Sequence, residues 1–175
     1  MLDSEKYKAA VHYIIASCDD PIKLGSIKLN KILFYSDSDM FFNTGKSITN
    51  DEYIKRQFGP VPKNILEILK ELEDEKKIAI HKVRHGHYEQ TIFVSLNDPD
   101  LTKLTAQDVD AISYNNYHIC NDYTAKEISE TTHNEIWEMA DIGEVIPLYT
   151  VHADKLGEID ENDIKNIEEA LSECQ

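Results

Sequence analysis

The segment from Ile27 to Met40 is the feature that most restricts how this chain can fold. Its apolar residues occupy more than one stripe of a helix; they are Ile27, Leu29, Ile32, Leu33, Phe34, Tyr35 and Met40. A helix that is apolar over so much of its surface is normally covered by other elements on several sides. We therefore predict a central helix that follows Gly25 and ends near Gly45.

Helical periodicity and capping residues predict further helices on both sides of this segment. A first amphipathic pattern runs from Tyr7 to Cys18, behind Asp3 and Ser4, either of which can cap a helix. A third helix follows Pro62, and its predicted apolar face consists of Ile65, Leu66, Ile68, Leu69 and Leu72. Three later sites carry a cap followed three residues on by an acid, which is typical of a helix start: Thr105, Thr124 and Asp160.

Two segments between the helices are expected to be non-helical. Gly59-Pro60-Val61-Pro62 is predicted to be a turn packed beside the central helix, with Pro62 at the first helical position. Residues 78–83 and 88–96 alternate with period two around Gly86, which predicts a β-hairpin. Residues 143–151 are interpreted as a short strand or a loop over the core. The expected fold is α+β and predominantly helical: five or six helices around the central apolar helix, with a small antiparallel hairpin or three-stranded sheet.

Charge and hydropathy narrow the class of protein. With 33 acidic and 18 basic residues, the net charge is −15, which repels a phosphate backbone and makes nucleic acid an unfavourable partner. The sequence contains neither a run of about 18 apolar residues nor a basic and then apolar amino terminus, so we predict a cytoplasmic protein with no membrane partner. Cys18, Cys120 and Cys174 are odd in number and far apart in sequence, a pattern typical of reduced thiols.

Complete catalytic and cofactor motifs are not found. There is no Gly-x-Ser-x-Gly elbow, and the isolated glycines form no phosphate-binding loop. We therefore expect no enzyme activity and no cofactor. His81, His85 and His87 on the predicted hairpin are weak candidates for a zinc site, because a fourth ligand would have to approach them.

A winged-helix regulator is the principal alternative interpretation of residues 62–96, where a helix leads into a hairpin. The polar face of that helix is dominated by acids, which suits a major groove poorly. A winged helix that binds proteins remains compatible with the pattern. An uncharacterised enzyme centred on His133 and neighbouring acids is a third interpretation.

Polar residues near the central helix are interpreted as structural. Lys28 and Lys31, beside Tyr35, are expected to cover apolar surface with their stems and to leave their amines in water. Glu52 and Arg56 are expected to pair with each other or with Lys28, in a polar cluster that holds the Gly-Pro-Val segment.

His133 and Trp137 are four residues apart and share a face if one helix runs through both. Partner binding or proton transfer is one interpretation of the pair. A histidine bonded to a backbone carbonyl beneath a packed indole is the interpretation we favour.

Three separated motifs occur here in a recognisable order: Lys28 to Tyr35, Phe58 to Pro62, and Ile128 to His133 with Trp137 behind it. Together they resemble the Panacea domain, the SocA-like antitoxin family, over roughly residues 8–150. The sequence departs from the usual motifs at Asn30, Ile32 and Phe58. Because the motifs are mainly structural, Gly59, Pro60, Val61, His133 and Trp137 are candidates for domain-defining or partner-binding residues.

The resemblance implies binding as the activity. It implies an antitoxin or proteolytic adaptor, associated with a bacterium, a phage or another mobile element. Its partner would be a toxin encoded beside it, with a protease such as an AAA+ protease as a second partner. We expect a Panacea-like domain over residues 1–157 and a carboxy-terminal amphipathic helix over 158–175.

Overall fold

The structure, a computed structural model, describes residues 3–85 and 88–151 of the chain. In those ranges the α-helices are α1 (Ser4–Ala16), α2 (Pro21–Thr44), α3 (Ile65–Asp74), α4 (Ala106–Asp122), α5 (Ala125–Glu130) and α6 (Glu135–Met139). The strands are β1 (Tyr53–Arg56), β2 (Gly59–Pro62), β3 (Ile78–His85) and β4 (Tyr88–Ser95), and a 3₁₀ turn covers Leu101–Lys103. The α+β, predominantly helical class is confirmed.

Helix α2 lies at the centre of the fold, as its apolar surface predicts. It packs against α1, α4, α5, β2 and β4, and it buries Leu29, Ile32, Leu33 and Phe34. Its first turn is separated from the rest at Gly25, where φ is 59° and ψ is 167°. These angles are outside the helical range and suit glycine, so the predicted interruption at Gly25 is confirmed.

The Gly-Pro-Val-Pro segment is a strand, so the predicted turn is wrong. Strand β2 pairs antiparallel with β1, from Tyr53 opposite Pro62 to Arg56 opposite Gly59. The chain reverses just before it, between β1 and β2. Proline is tolerated in β2 because a two-stranded sheet consists only of edge strands.

Pro62 therefore does not start α3, which begins three residues later at Ile65. The carboxylate of Asp51 accepts hydrogen bonds from the backbone N–H and the side-chain amide of Asn64, at 2.9 and 2.7 Å. The buried face of α3 includes Ile68 and Leu72, but Leu66 is 79% exposed and does not belong to it.

The second hairpin is confirmed. Strands β3 and β4 pair antiparallel from Ile78 opposite Ser95 to His85 opposite Tyr88, and β4 packs against α1 and α2. Gly86 and His87, in the predicted loop, lie outside the described residues. The two hairpins are separate two-stranded sheets, so the alternative of one three-stranded sheet is not found in the described ranges.

Two of the three predicted caps are present as reciprocal capping boxes. Thr105 and Asp108 start α4, and Thr124 and Glu127 start α5, each with both side-chain-to-backbone hydrogen bonds. Asp160 and the helix expected over 158–175 lie outside the described residues. Residues 143–151 are mostly loop, attached to β1 by one bridge between Ile54 and Val145. No helix in the described ranges has the length and apolar character needed to cross a membrane.

Candidate functional site

The three sequence motifs meet at Lys31, Gly59 and Thr132. Lys31 extends from α2, and its Nζ donates a hydrogen bond to Thr132 Oγ1 at 2.8 Å. The Thr132 hydroxyl in turn donates to the carbonyl of Ser129 at 2.9 Å, just before the end of α5. We call Lys31, Gly59 and Thr132 the motif junction.

Gly59 is required at the junction for two reasons. Its φ of 103° is in a region that other residues rarely adopt. A Cβ added there would also overlap Lys31 Nζ and Thr132 Oγ1. The backbone of β2 can therefore approach the lysine amine only because residue 59 has no side chain.

The Lys31 amine is inside the protein, so the expected snorkelling is wrong for this residue. Only 1% of Lys31 is exposed. Burial lowers the pKa of its amine to about 7, and no carboxylate opposes that effect. At neutral pH this lysine is therefore partly uncharged.

Lys28 is also directed inward, which corrects the same expectation. It is buried, and its Nζ donates to the carbonyl of Cys120 at 3.2 Å. Burial lowers the pKa of this amine as well. Because Cys120 is in the last turn of α4, Lys28 provides an amine donor to carbonyl groups at a helix carboxyl end, and it ties α2 to α4.

His133 and Trp137 are stacked although no single helix contains both. Their ring centroids are 3.8 Å apart and the rings are inclined by 10°. Helix α5 ends at Glu130, and Asn134 then caps α6 by accepting a hydrogen bond from the Trp137 N–H. The condition of one helix through both residues is therefore not met, yet the indole packs over the histidine as expected.

Two ring nitrogens of this stacked pair, one from each ring, have no protein partner in the described residues. His133 Nε2 and Trp137 Nε1 are both buried without a hydrogen bond, so the expected bond to a carbonyl is not made by Nε2. Burial, followed by the nearby Lys31 amine, lowers the pKa of His133. Both effects favour the neutral imidazole over the imidazolium.

Lys55 lies beside the stacked pair of His133 and Trp137, and it was not predicted from the sequence as a site residue. Its Nζ lies 4.0 Å from the centroid of the Trp137 ring, a cation–π geometry. The same amine donates to the carbonyls of Ala140 at 2.9 Å and Glu138 at 3.4 Å. The sequence signal that could have found it is the period of two in strand β1, which buries Tyr53 and Lys55 on the same face.

The polar cluster expected from Glu52, Arg56 and Lys28 does not form. Glu52 instead makes an exposed ion pair with Lys63 at 3.0 Å, and Arg56 is at the surface. Gly59 and Pro60 are buried, while Val61 is only half-buried beside α2. The Gly-Pro-Val segment is held by strand pairing and by the motif junction.

A buried carboxylate that the sequence reasoning missed fixes the segment after α2. Asp37 is fully buried and accepts hydrogen bonds from the backbone of Ile48 and Thr49, the Thr49 hydroxyl and the Tyr53 hydroxyl. Burial raises its pKa against the effect of these four donors. The only local signal was the position of this aspartate on the central helix, within the polar run Ser36-Asp37-Ser38-Asp39.

Comparison with protein-family models identifies the family whose motifs form the junction. The model of the antitoxin SocA-like Panacea domain matches residues 29–138, which include Lys31, Gly59, Thr132 and Trp137. The chain belongs to the SocA-like Panacea family. Comparison with curated proteins and with solved structures gave no significant match. Membership of this family supports an antitoxin-type role.

The Panacea domain also has an open aromatic surface between α2, α4 and α5. A cleft of about 220 Å³ is lined by residues that include Tyr35, Tyr114, His118, Asp122 and Tyr123, which we call the tyrosine cleft. Tyr35 is half-buried there and its hydroxyl lies 2.8 Å from Thr131 Oγ1. Tyr114 is 64% exposed.

Ring contacts order the side chains at the rim of the tyrosine cleft. The His118 ring lies 4.5 Å from that of Tyr114, which lines the cleft, and 5.4 Å from that of Tyr117. Tyr117 is 65% exposed and lines the neighbouring cleft on the other side of α4. His118 Nδ1 is 2.6 Å from Asp122 Oδ2. Asp122 is the aspartate of α4 that lines the cleft, and α4 has neither lysine nor arginine, so this surface is aromatic and carries an acid.

The histidines on the second hairpin provide little support for a zinc site. His81 is exposed on β3, whereas the side chain of His85 and all of His87 lie outside the described part of the chain. Among the residues that are described, no three potential ligands are close enough to hold a metal ion.

Proposed function

We propose that this Panacea-domain protein is an antitoxin-type binding protein that neutralises a cognate toxin by direct contact at the tyrosine cleft. The observation that carries the proposal is the exposed aromatic rim of that cleft, within the region matched by the family. The buried motif junction has a different role, which is to hold α2, β2 and the segment after α5 together. Partner recognition is therefore assigned to Tyr114 and the adjacent Tyr117, and not to the buried junction residues Lys31, Gly59 and Thr132.

Tyrosine side chains suit this role physically. They provide a large contact area with few rotatable bonds and a hydroxyl that can still find a partner, and they are enriched among residues that dominate binding energy. The acids on α4 and the net charge of −15 favour a toxin with a basic surface. We therefore expect electrostatic steering towards the cleft, followed by burial of its aromatic rings.

A catalytic role for Lys31 or His133 is disfavoured because solvent does not reach their reactive nitrogens. The amine of Lys31 is closed off from solvent, and His133 Nε2 is buried against the indole. A substrate would have to displace packed side chains to reach either group. We therefore place the protein among binding proteins and not among enzymes.

Co-expression with the protein encoded beside it tests the proposal. We expect rescue of growth, and recovery of both proteins in one complex. Replacing Tyr114 and Tyr117 with alanine should abolish rescue and weaken binding by about 30-fold or more, which corresponds to the loss of a typical hot spot of about 2 kcal/mol.

Leu66→Ala is the matched control for the tyrosine variants. Leu66 is more exposed than either tyrosine and is on α3, so its truncation should leave rescue and binding unchanged. The antitoxin proposal would be refuted if the protein encoded beside this one is harmless when expressed alone. It would also be refuted if that protein is toxic but neither binds this protein nor loses toxicity in its presence. Equal weakening by Leu66→Ala would refute the tyrosine cleft as its surface.

The route of neutralisation can be followed through the amount of toxin. Direct sequestration predicts a constant toxin level and a stable complex when the antitoxin is present. A shortened toxin half-life that is restored in a strain lacking the relevant AAA+ protease would instead assign the protein as a proteolytic adaptor.

The winged-helix regulator remains the second candidate because α3 does lead into a hairpin, as that fold requires. The exposed residues of α3 include the acids Glu67, Glu73 and Asp74, which suit a DNA groove poorly. Gel-shift titration against its own promoter at physiological salt should give no specific complex tighter than about 1 µM. A nanomolar, sequence-specific complex would make the regulator the preferred function.

A further inference from the structure

Cys18 and Cys120 are neighbours in the fold although 102 residues separate them in sequence. Cys18 lies just beyond the end of α1, not on the apolar face of that helix as the periodicity suggested. Cys120 is in the last turn of α4. Their sulfur atoms are 3.8 Å apart, and both are free thiols.

Hydrogen bonds hold the two thiols in place, and a surface cleft gives access to them from solvent. The Cys120 thiol donates to Asn116 Oδ1 and the Cys18 thiol to the carbonyl of Asp20, each at 3.3 Å. Both cysteines line a cleft of about 340 Å³ at the surface. Cys18 is half-buried and Cys120 is buried, so a small oxidant in this cleft reaches Cys18 first.

We propose that Cys18 and Cys120 are an oxidation site, at which a peroxide converts the two thiols into an intramolecular disulfide. The Cys18 thiolate attacks one oxygen of hydrogen peroxide, the O–O bond breaks, and hydroxide leaves and takes up a proton as water. Cys18 is then a sulfenic acid. The Cys120 sulfur attacks the Cys18 sulfur, the S–O bond breaks, and the departing hydroxide takes the remaining thiol proton. Two thiols and one peroxide thus give one disulfide and two water molecules.

Electrostatics at the pair favour Cys18 as the first thiol to react. Its hydrogen bond with Cys120 lowers the pKa of Cys18 to about 7, while burial and the nearby Asp19 and Asp20 act in the opposite direction. The same interaction, together with burial, raises the pKa of Cys120, and Lys28 and Lys23 act weakly against it. The more exposed sulfur is therefore the more ionised one, as a peroxide-reactive cysteine requires.

Formation of this bond has a structural consequence that does not depend on the proposed function. It would join the connection between α1 and α2 to the end of α4 and close a loop of about one hundred residues. Cross-links that close long loops restrict the unfolded chain and stabilise the folded one. Oxidation should therefore raise the melting temperature of the protein.

The test uses the full chain with Cys174→Ser, which leaves only the two cysteines in question. After treatment with hydrogen peroxide, both should become unreactive to iodoacetamide together, and intact mass should fall by two hydrogen atoms. Digestion should give one cross-linked peptide containing residues 18 and 120, and dithiothreitol should reverse every change. The melting temperature should rise on oxidation and return on reduction.

Single variants provide the controls. With Cys174 also replaced, Cys120→Ser should leave Cys18 as a sulfenic acid that dimedone traps, and Cys18→Ser should leave Cys120 largely unreacted. The double-cysteine protein itself decides the outcome even if a single variant folds poorly. Two intact thiols after treatment, stable sulfinic acid at Cys18 with Cys120 still free, or disulfide formation only between molecules would each overturn the proposal.

Discussion

Lys31, of which only 1% is exposed, donates a hydrogen bond to Thr132, 101 positions away in sequence. The bond connects the Lys-rich motif on α2 with the Thr-His motif after α5, and Gly59 leaves room for it. Lysine amines are rarely buried without a carboxylate. The contact therefore explains why three short motifs far apart in sequence occur together in one domain.

Replacing Gly59 with alanine should be strongly destabilising. The positive φ alone costs about 1–3 kcal/mol for a residue with a side chain, and the new methyl group would also displace the Lys31 amine or Thr132. The free energy of unfolding, measured by urea titration, should fall by more than this strain alone.

Gly45→Ala provides the matched control for that measurement. Gly45 has a φ of 73° at the end of α2, but a Cβ there would meet no atom within 4 Å. The difference between the two variants isolates the crowding at Lys31. Equal losses of stability would show that the motif junction is not tightly packed.

Lys31→Met should relieve an electrostatic penalty that depends on pH. The pKa of Lys31 is about 7 in the folded protein and 10.5 ordinarily, so below pH 7 the buried charge opposes folding in full. Between pH 7 and about 10.5 the unfolded chain retains the proton that the folded protein has released, and the penalty declines. Each unit of pKa difference is worth about 1.4 kcal/mol.

We therefore expect the stability of the Lys31→Met variant relative to wild type to be most favourable near pH 6 and to become less favourable as pH rises to 10. Urea titrations of both proteins at several pH values measure this difference, and titrating groups that do not interact with Lys31 cancel in it. His133, whose pKa the Lys31 amine lowers, does interact with it, so the measurements above pH 7 are the most direct. A difference that does not vary with pH would contradict a buried, shifted amine at position 31.

His133→Phe should reduce the loss of stability in acid. Because the folded pKa of His133 lies below its ordinary value of 6.5, the unfolded chain takes up the proton first as pH falls, and folding is weakened below about pH 6.5. Phenylalanine retains an aromatic ring against Trp137 without titrating. Trp137 is the only tryptophan of the chain, so its fluorescence can follow unfolding in both proteins.

As pH falls from 7 to 5, the free energy of unfolding of the His133→Phe variant should rise steadily relative to that of the wild type. His12, whose pKa burial also lowers, is unchanged in both proteins and cancels in the comparison. Parallel pH profiles for variant and wild type would show that protonation of His133 does not oppose folding.

Association with the toxin should slow as salt is added, because acids near the tyrosine cleft steer a basic partner. Asp122→Asn should lower the association rate at low salt and reduce its salt dependence, while dissociation changes less. Stopped-flow or surface-binding kinetics measure both rates. Asp98→Asn, an exposed acid in the loop after β4, removes the same charge away from α4 and should have a smaller effect; equal effects would indicate steering by net charge alone.

Sequence patterns predicted much of the fold because they act over a few residues. The breadth of the apolar surface from Ile27 to Met40 predicted a central helix, and α2 occupies that position. Thr105 and Thr124 predicted helix starts because a capping box is complete within four residues. Alternation around Gly86 predicted the pairing of β3 with β4, and the three motifs together indicated the family.

Local patterns failed where the deciding partner is distant in sequence. Gly-Pro-Val-Pro has the composition of a turn, but pairing with β1 makes it a strand. Leu66 fits the helical period of α3, yet no element in the described part of the chain covers it. His133 and Trp137 stack across a break between α5 and α6. Their four-residue spacing brings two side chains together only if one helix runs through both, so the spacing alone did not account for this contact.

The sequence by itself determined the central helix, the capped helix starts, the second hairpin and membership of the Panacea family. Only the tertiary structure decided that Lys28 and Lys31 are directed inward, that Cys18 meets Cys120, and that Tyr35, Tyr114 and Tyr123 line one cleft. The physical reason is that burial, pKa and hydrogen bonding depend on atoms that folding brings together from distant parts of the chain. Periodicity reports only which face of an element is apolar, whereas the partner of a polar side chain on that face is set by the packing of the whole domain.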